Sequence, residues 1–215
     1  MLRSPSAVLL VTLSMVPAAH AGVVWTVGSG PMDHFYSINQ AVTDNRVHDG
    51  DSIRIFSGGY IGFDSGEKSL RFEPGNSPGI VDVFGNMLLR QNSTINFEIG
   101  GYNSGLAAGV PEFDQFIVTG NVDLVGGIEI TLYNGFTPNV GDSWALVQAG
   151  GTIAFSGSSV LPQLANGLSW NVQVVSGSQE FGSGGSSLIA TVVPAPSAAA
   201  LVGLAGLIGT RRRRR

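Results

Sequence analysis

The 215-residue chain contains no cysteine, so disulfide bonds cannot stabilise it and the fold must depend on core packing and backbone pairing. Charged residues make up only 12% of the sequence, and no lysine or arginine occurs between Gln91 and Thr210. A surface with so few cations repels nucleic acid and anionic membranes. These shortages argue against a nucleic-acid-binding protein and against a disulfide-stapled scaffold.

Glycine and apolar residues are abundant instead. The chain has 31 glycines and is 43% hydrophobic, which is too apolar for a disordered protein and too rich in glycine for a helical bundle. Short segments of alternating apolar residues, such as Ile95, Phe97 and Ile99, are separated by turns rich in glycine, asparagine, proline and serine. The sequence therefore predicts an all-β fold, either a solenoid or a sandwich.

The C-terminal segment has three parts that suit different surroundings. Two prolines precede an uncharged run, Ala198 to Gly209, which would extend about 18 Å as a helix, against about 30 Å for the hydrocarbon core of a bilayer. We predict a short hydrophobic helix there, a provisional membrane anchor that includes Leu201, Leu204 and Leu207. By the positive-inside rule, five terminal arginines belong on the cytoplasmic side: Arg211, Arg212, Arg213, Arg214 and Arg215.

This layout resembles the C-terminal signal of the PEP-CTERM family of exported bacterial proteins. The family motif reads Val-Pro-Glu-Pro, and this chain has alanine in place of the glutamate. The resemblance implies a sorting signal over residues 193–215, recognition by an exosortase-like membrane enzyme, and cleavage within or next to the motif. The residues that it assigns to the processing motif are Val193, Pro194, Ala195, Pro196 and Ser197.

The N-terminus has the pattern of a secretory signal peptide over residues 1–21. Arg3 supplies a positive charge, Ala7 to Val16 is apolar, and Ala19-His20-Ala21 before Gly22 fits the small-x-small rule for cleavage. The alternative is a first transmembrane helix that is retained. With both ends removed, a passenger over residues 22–192 keeps five basic against fifteen acidic residues, a formal charge of −10. We expect export machinery and signal peptidase as partners.

One segment near the start of the passenger has helical spacing. Phe35, Ile38, Ala41 and Val42 fall on one helix face, and Ser37 is placed to cap it. A Gly50-Asp51 turn, an alternating strand from residue 52 to 56, and a second turn at residues 57–60 are predicted to follow.

In this order, residues 35–60 resemble the opening of right-handed parallel β-helix proteins, in which such a helix caps the solenoid. Residues 113–151 resemble the C-terminal β-coils of autotransporter-like and PEP-CTERM passenger proteins. The resemblance implies a right-handed parallel β-helix with a short N-terminal capping helix, and two hydrophobic helices at the chain ends. An antiparallel β-sandwich is the alternative.

The β-helix fold also hosts polysaccharide lyases and hydrolases, which need clustered carboxylates. In this sequence the acids are spread singly, so we predict no catalytic residue and no cofactor. The closest groupings, weak candidates for calcium, are Asp49 with Asp51 and Asp64 with Glu67; shaping turns through backbone hydrogen bonds is the competing role.

Histidines and aromatic residues give only general hypotheses. His34 beside Asp33, and His48, are candidates for a nucleophile's base, but no Gly-x-Ser-x-Gly motif occurs. Trp25, Trp144, Trp170 and the tyrosines could stack on sugars or pack in the core.

The leading hypothesis is an exported, non-enzymatic protein of the cell surface or extracellular matrix that associates with exopolysaccharide. It would be anchored transiently in the inner membrane by its C-terminal helix. A carbohydrate-active β-helix enzyme and a sugar-binding adhesin are the alternatives.

Overall fold

The structure, a computed structural model, describes residues 22–75, 78–106, 109–165 and 167–195. In chain order the elements are β1 (Val24–Val27), α1 (Ile38–Thr43), β2 (Ser52–Ile55), β3 (Gly58–Asp64), β4 (Arg71–Pro74), β5 (Ile80–Leu89), β6 (Thr94–Ile99), β7 (Gln115–Val118), β8 (Val122–Leu124), β9 (Gly127–Leu132), β10 (Ser143–Ala149), β11 (Ile153–Phe155), β12 (Ser159–Val160), β13 (Leu168–Ser178) and β14 (Gly182–Pro194). The predicted all-β class is confirmed. The predicted terminal helices lie outside the described residues.

Two sheets account for all of these strands. Sheet A has six strands in the order β1-β2-β4-β6-β9-β12, and every neighbouring pair is parallel. Sheet B has eight strands in the order β11-β8-β5-β7-β10-β14-β13, with β3 also paired to β5. Its pairs are parallel except for those that β14 makes with β10 and β13. The antiparallel pairing that the sandwich alternative implies is therefore wrong for sheet A.

The inward side chains of sheet A form rows that run across the strands. Ile53 is in register with Phe72, Phe72 with Ile95, and Ile95 with Ile128, and all four are fully buried. Burial of such a side chain stabilises the folded state by about 1.5–3 kcal/mol. The alternation seen in the sequence thus becomes a continuous apolar interior shared by successive strands.

Helix α1 lies at the N-terminal end, where it contacts β1 and β3. Its buried face consists of Ile38, Ala41 and Val42, as the helical spacing predicts. The Ser37 side chain caps the helix by accepting a hydrogen bond of 3.1 Å from the backbone N–H of Gln40, so the predicted cap is confirmed.

One local prediction was wrong, and two short strands were not predicted. Residues 57–60 were predicted to form a turn, but β3 begins at Gly58 and Tyr60 is buried on it. Gly59 can pair in a strand because β5 lies beside it, and its register partner there is Asp82. The alternation also did not reveal the short strands β11 and β12, since each has only two or three residues.

The turns that join sheet B to sheet A stack directly on one another. A Cβ atom at Gly157 would overlap the carbonyl oxygen of Gly126, and a Cβ atom at Gly126 would overlap the carbonyl oxygen of Ser93. Backbone groups of the same turns pair, since Gly127 N–H donates to Ser93 O at 2.9 Å and Ile128 N–H donates to Ser158 O at 2.9 Å. Glycine is required at these positions by close approach of the backbone.

We predict that Gly157→Ala destabilises the protein by about 1–3 kcal/mol, because the new methyl group meets backbone that cannot move aside easily. Gly184→Ala is the matched control, since a Cβ atom there would have no heavy atom within 4 Å. Urea denaturation followed by circular dichroism measures both. Equal midpoints for the two variants would contradict the close turn stacking.

Candidate functional site

Asp49 and Asp51, predicted as weak calcium candidates, both bind backbone groups. Asp51 is fully buried, and its carboxylate accepts hydrogen bonds from Val23 N–H at 2.7 Å and from the Trp25 indole at 2.8 Å. It also accepts from His48 N–H at 2.9 Å, and Asp49 accepts from Ser69 N–H at 2.8 Å. The Asp51 bond to His48 N–H lies within the turn, as the competing prediction expects, while the other bonds join the turn to β1 and to Ser69.

Asp64 and Glu67 surround one arginine. Arg90 donates to both oxygens of Asp64 at 2.6 Å and to Glu67 at 2.8 Å. The hydrogen bond from Arg90 is the largest cause of a lowered pKa at Asp64. Among the described residues, no group of three or more His, Asp or Glu side chains is close enough to hold a metal ion.

The two histidines of the passenger lie at the N-terminal end of the fold. His34 is exposed, and its Nδ1 lies 2.9 Å from the hydroxyl of Thr26. Its neighbour Asp33 accepts a hydrogen bond from Gly30 N–H at 2.6 Å. His34 and Asp33 thus bind separate partners on β1 and the loop that follows it.

The three tryptophans all pack against other residues, but they differ in how far their side chains are buried. Trp144 is only 1% exposed, and its indole donates to the carbonyl of Gly101 at 2.7 Å. Trp170 is half-buried against Trp144 with ring centroids 5.7 Å apart. Trp25 is half-buried beneath the guanidinium of Arg46, which lies 5.5 Å from its ring centroid. Tyr36 and Tyr102 are the exposed tyrosines among the described residues, and Phe84 is exposed to a similar degree.

The predicted processing motif overlaps the last strand. Val193 and Pro194 belong to β14 and are paired with Ser169 and Leu168, and Ala195 N–H donates to Gly167 O at 2.7 Å. Val193 and Pro194 are extended and attached to β13, so β14 runs two residues beyond the predicted boundary at 192. Of the other residues assigned to the two terminal signals, Gly22 is described and these lie outside the described residues: Ala19, Ala21, Pro196, Ser197, Leu201, Leu204, Leu207 and Arg211 to Arg215.

The structure also gathers acids that are far apart in the sequence. A cleft of about 150 Å³ on the outer face of sheet A, here called the charged cleft, would hold about five water molecules. Its charged lining residues are Arg54, Arg71, Glu73, Glu98 and Asp114. The prediction that the acids are spread singly is therefore wrong for this face.

Ion pairs bind the strands across the charged cleft. Arg54 contacts Glu73 at 3.1 Å, and Arg71 contacts Glu129 at 2.9 Å on the far side. Each of the four side chains remains partly exposed to solvent. The individual pairs are consequently worth at most about 1 kcal/mol each.

Several buried polar atoms of the charged cleft have no hydrogen-bond partner. Four side-chain atoms in the described part of the chain are in this state, and three of them line this cleft: Arg54 Nε, Arg71 Nε and Glu98 Oε2. Arg71 Nε does lie 3.4 Å from Glu73 Oε1 in an ion pair, although this contact is not a hydrogen bond. A buried polar atom without a partner costs about 1–3 kcal/mol and calls for an explanation, so Arg54 Nε and Glu98 Oε2 make this cleft a candidate site.

Asp114 lies at the base of the charged cleft and is only 1% exposed. Its two oxygens accept hydrogen bonds from the backbone N–H groups of Gly79, at 2.7 Å, and Glu98, at 2.8 Å. The pKa of Asp114 is raised to about 8, and burial is the largest cause. The nearby Glu98 and Glu73 carboxylates contribute to the rise, while the two backbone N–H groups act in the opposite direction. Burial exceeds the effect of the hydrogen bonds, so the carboxyl group is mostly protonated at neutral pH.

Register explains why the sequence did not reveal this cleft. Arg54 is paired with Glu73 across β2 and β4, and Asn96 with Glu129 across β6 and β9, at separations of 19 and 33 residues. The separation changes from one strand pair to the next, so no fixed period connects the acids. The sequence did contain one signal. Arg54 and Glu73 each alternate with buried residues along their strands, which places both side chains on the outer face of sheet A.

In comparisons with known proteins, no family model matches the chain and no curated protein matches it. The site must therefore be interpreted from its own geometry. No helix in the described ranges is long and apolar enough to cross a bilayer.

We predict that Asp114 makes the protein less stable as the pH rises from about 4 to about 8. Its pKa is raised from 3.8 in the unfolded chain to about 8 in the fold. The folded state therefore holds a proton that the unfolded chain has released, and stability falls as that proton is lost.

Asp114→Asn removes this titration, and it also costs about 1–3 kcal/mol because one backbone N–H then faces an amide donor. Urea midpoints at pH 5 and pH 8.5 should show the wild-type advantage over Asp114→Asn shrinking at the higher pH. Asp123→Asn, an exposed acid on β8, is the control. An advantage that is equal at both pH values would contradict the raised pKa.

Proposed function

We propose that this is an exported, C-terminally processed protein of the cell surface or extracellular matrix, non-enzymatic and associated with exopolysaccharide. One observation carries the proposal: the packed strands run from Val24 to Pro194, so they begin just after the predicted signal peptide and end within the predicted processing motif. Cleavage after Ala21 and cleavage beyond Pro194 would therefore both leave these strands in place.

Contacts next to the predicted signal cleavage bond support it. Val23 N–H and the Trp25 indole both bind the buried carboxylate of Asp51. Gly22 packs so closely on Gly50 that a Cβ atom at Gly22 would overlap the Gly50 carbonyl. The chain is thus anchored from the first residue after the predicted cleavage between Ala21 and Gly22.

Contacts at the other end support processing after the strand. Pro194 has no N–H to donate, so a ladder that continues past it needs the next residue, and Ala195 N–H supplies that bond to Gly167. An exosortase-like enzyme would meet the motif at the margin of the fold. We infer cleavage on the C-terminal side of Ala195, with β14 left intact.

The finer fold assignment is also a proposal. We infer a right-handed parallel β-helix, because β2, β4, β6, β9 and β12 pair in parallel in chain order and the connections between them return through sheet B. Connections between parallel strands of one sheet are right-handed in almost every known protein. Such a stack suits a cysteine-free extracellular protein, since its stability comes from axial pairing.

For the sorting signal, we predict that replacing Pro194 and Pro196 with alanine leaves the protein unprocessed in the membrane fraction. The physical reason is that the prolines hold the motif extended and non-helical. Immunoblotting of membrane and extracellular fractions with an antibody to the passenger measures this.

A double Pro111→Ala and Pro162→Ala variant is the matched control, because both prolines lie outside the motif. It should be processed as the wild type is. Normal processing of the variant at Pro194 and Pro196 would contradict the sorting signal.

A second candidate function is hydrolysis of a polysaccharide at the charged cleft. It is favoured by the Glu98 carboxylate, whose Oε2 is buried without a partner beside the protonated Asp114. A glycosidase uses two carboxyl groups that flank the scissile bond, and Glu98 and Asp114 both line this cleft.

A turnover screen of the purified protein against acidic and neutral polysaccharides separates the two functions. If the second candidate is right, Glu98→Gln and Asp114→Asn each lower the rate about a hundredfold or more, and Glu67→Gln leaves it unchanged. Release of no reducing sugar from any substrate would remove this candidate and favour the non-enzymatic proposal.

A further inference from the structure

A second cleft, larger and differently lined, lies over the outer face of sheet B. It has a volume of about 510 Å³, within the range of small-ligand sites, and we call it the polar cleft. Strands β7, β10 and β14 form its floor, and the loop after β6 and the β13–β14 hairpin form its walls. No charged side chain lines it among the described residues. Its polar lining consists of Tyr102, Ser104, Gln115, Ser143, Ser178, Gln179 and Ser187.

Tyr102 is a fixed aromatic surface at the edge of the polar cleft. Its ring stacks on the buried Trp144 at an interplanar angle of 11°, and its hydroxyl donates to Asp142 at 2.8 Å. Phe136 packs edge-on against the same ring with centroids 5.2 Å apart. Although Trp144 covers one face, Tyr102 remains 55% exposed. An exposed ring held at three points is prepared to stack on a ligand at little cost in entropy.

Hydrogen bonds orient the amide of Gln115 on the floor. Gln148 Oε1 must face the β13–β14 hairpin, because it accepts from the backbone N–H of Glu180 at 3.0 Å. The Nε2 of Gln148 therefore points to Gln115, whose Oε1 it contacts at 3.5 Å. This leaves Gln115 Nε2 as a donor, and it has no partner although the residue is fully buried. An unpaired donor beneath a cleft marks a position for an acceptor atom.

The charges around the polar cleft disfavour binding of an anionic ligand. Asp142 binds the Tyr102 hydroxyl, and Glu180 follows Gln179 in the hairpin. Glu180 also faces Asp82, whose pKa is raised mainly by burial and additionally by the Glu180 charge. No lysine or arginine occurs between Gln91 and Thr210, the segment that supplies the entire lining. A carboxylated or sulfated sugar would meet only repulsion here.

We propose that the polar cleft binds an uncharged oligosaccharide, with one sugar ring stacked on Tyr102 and sugar oxygens received by the serine and glutamine side chains. Hydroxyl and amide groups both donate and accept hydrogen bonds, which matches the hydroxyls of a neutral sugar. This inference rests on the proposed association with exopolysaccharide and names the class of ligand.

Isothermal titration calorimetry of the full-length chain with laminarihexaose, cellohexaose and maltohexaose tests the proposal, with hexagalacturonate as the anionic comparison. We expect saturable binding of at least one neutral hexasaccharide and none of hexagalacturonate. Tyr102→Ala should weaken that binding about tenfold, the effect of losing one aromatic stacking contact. Tyr36→Ala, at a tyrosine that is even more exposed and lies outside the polar cleft, should not change the affinity.

Two further variants keep the test decisive if Tyr102→Ala does not fold. Tyr102→Phe keeps the ring and should bind as the wild type does, within about twofold, and Gln179→Ala changes only an exposed wall residue and should weaken binding. Absence of binding to all three neutral sugars, preference for hexagalacturonate, or unchanged affinity in Gln179→Ala together with Tyr102→Ala would overturn the inference. If no neutral hexasaccharide binds but the wild-type chain is processed and the variant at Pro194 and Pro196 is not, the ligand inference fails while the proposed export and processing stand. The two failures are therefore distinguishable.

Discussion

Axial pairing of parallel strands is the constraint on which the rest of the structure depends. Each strand of sheet A takes its backbone partners from the strand that lies one circuit of the chain earlier or later, so its N–H and C=O groups are satisfied without disulfides or a thick core. The pairing holds only if the turns also stack, which is why Gly126 and Gly157 meet backbone atoms directly. In-register rows such as Ile53, Phe72 and Ile95 then follow from the same alignment.

This constraint also determines where chemistry can occur. Because the interior is filled by rows of apolar side chains, polar groups collect on the outer faces, where residues from different circuits come into register. The charged cleft joins Arg54 and Glu73 to Glu98 in this way, and the polar cleft joins Tyr102 to Gln115. The two clefts differ in charge because all of the basic residues that the structure describes lie at or before Arg90. The polar cleft suits a neutral ligand, whereas the charged cleft contains the two acids Glu98 and Asp114.

Much of the fold could be predicted from local patterns. Period-two alternation located the longer strands, and helical spacing with Ser37 located α1, because both signals lie within a few neighbouring residues. The strand β3 was missed because Gly58 and Gly59 have the composition of a turn, and only pairing with β5 makes them a strand. The candidate sites were largely missed as well. Asp114 is one acid among fifteen in the sequence, and nothing local distinguishes it.

The sequence by itself determined the all-β class, the absence of disulfides and the acidic balance, and it is the basis for predicting two terminal signals, since each depends on composition or on short contiguous motifs. The tertiary structure alone decided parallel pairing over a sandwich, the attachment of Val193 and Pro194 to β13, and the raised pKa of Asp114. These depend on register between segments separated by 19 to 33 residues or more, and on burial by residues from other circuits. The number of residues between paired positions differs from one strand pair to the next, so no sequence repeat reveals the register.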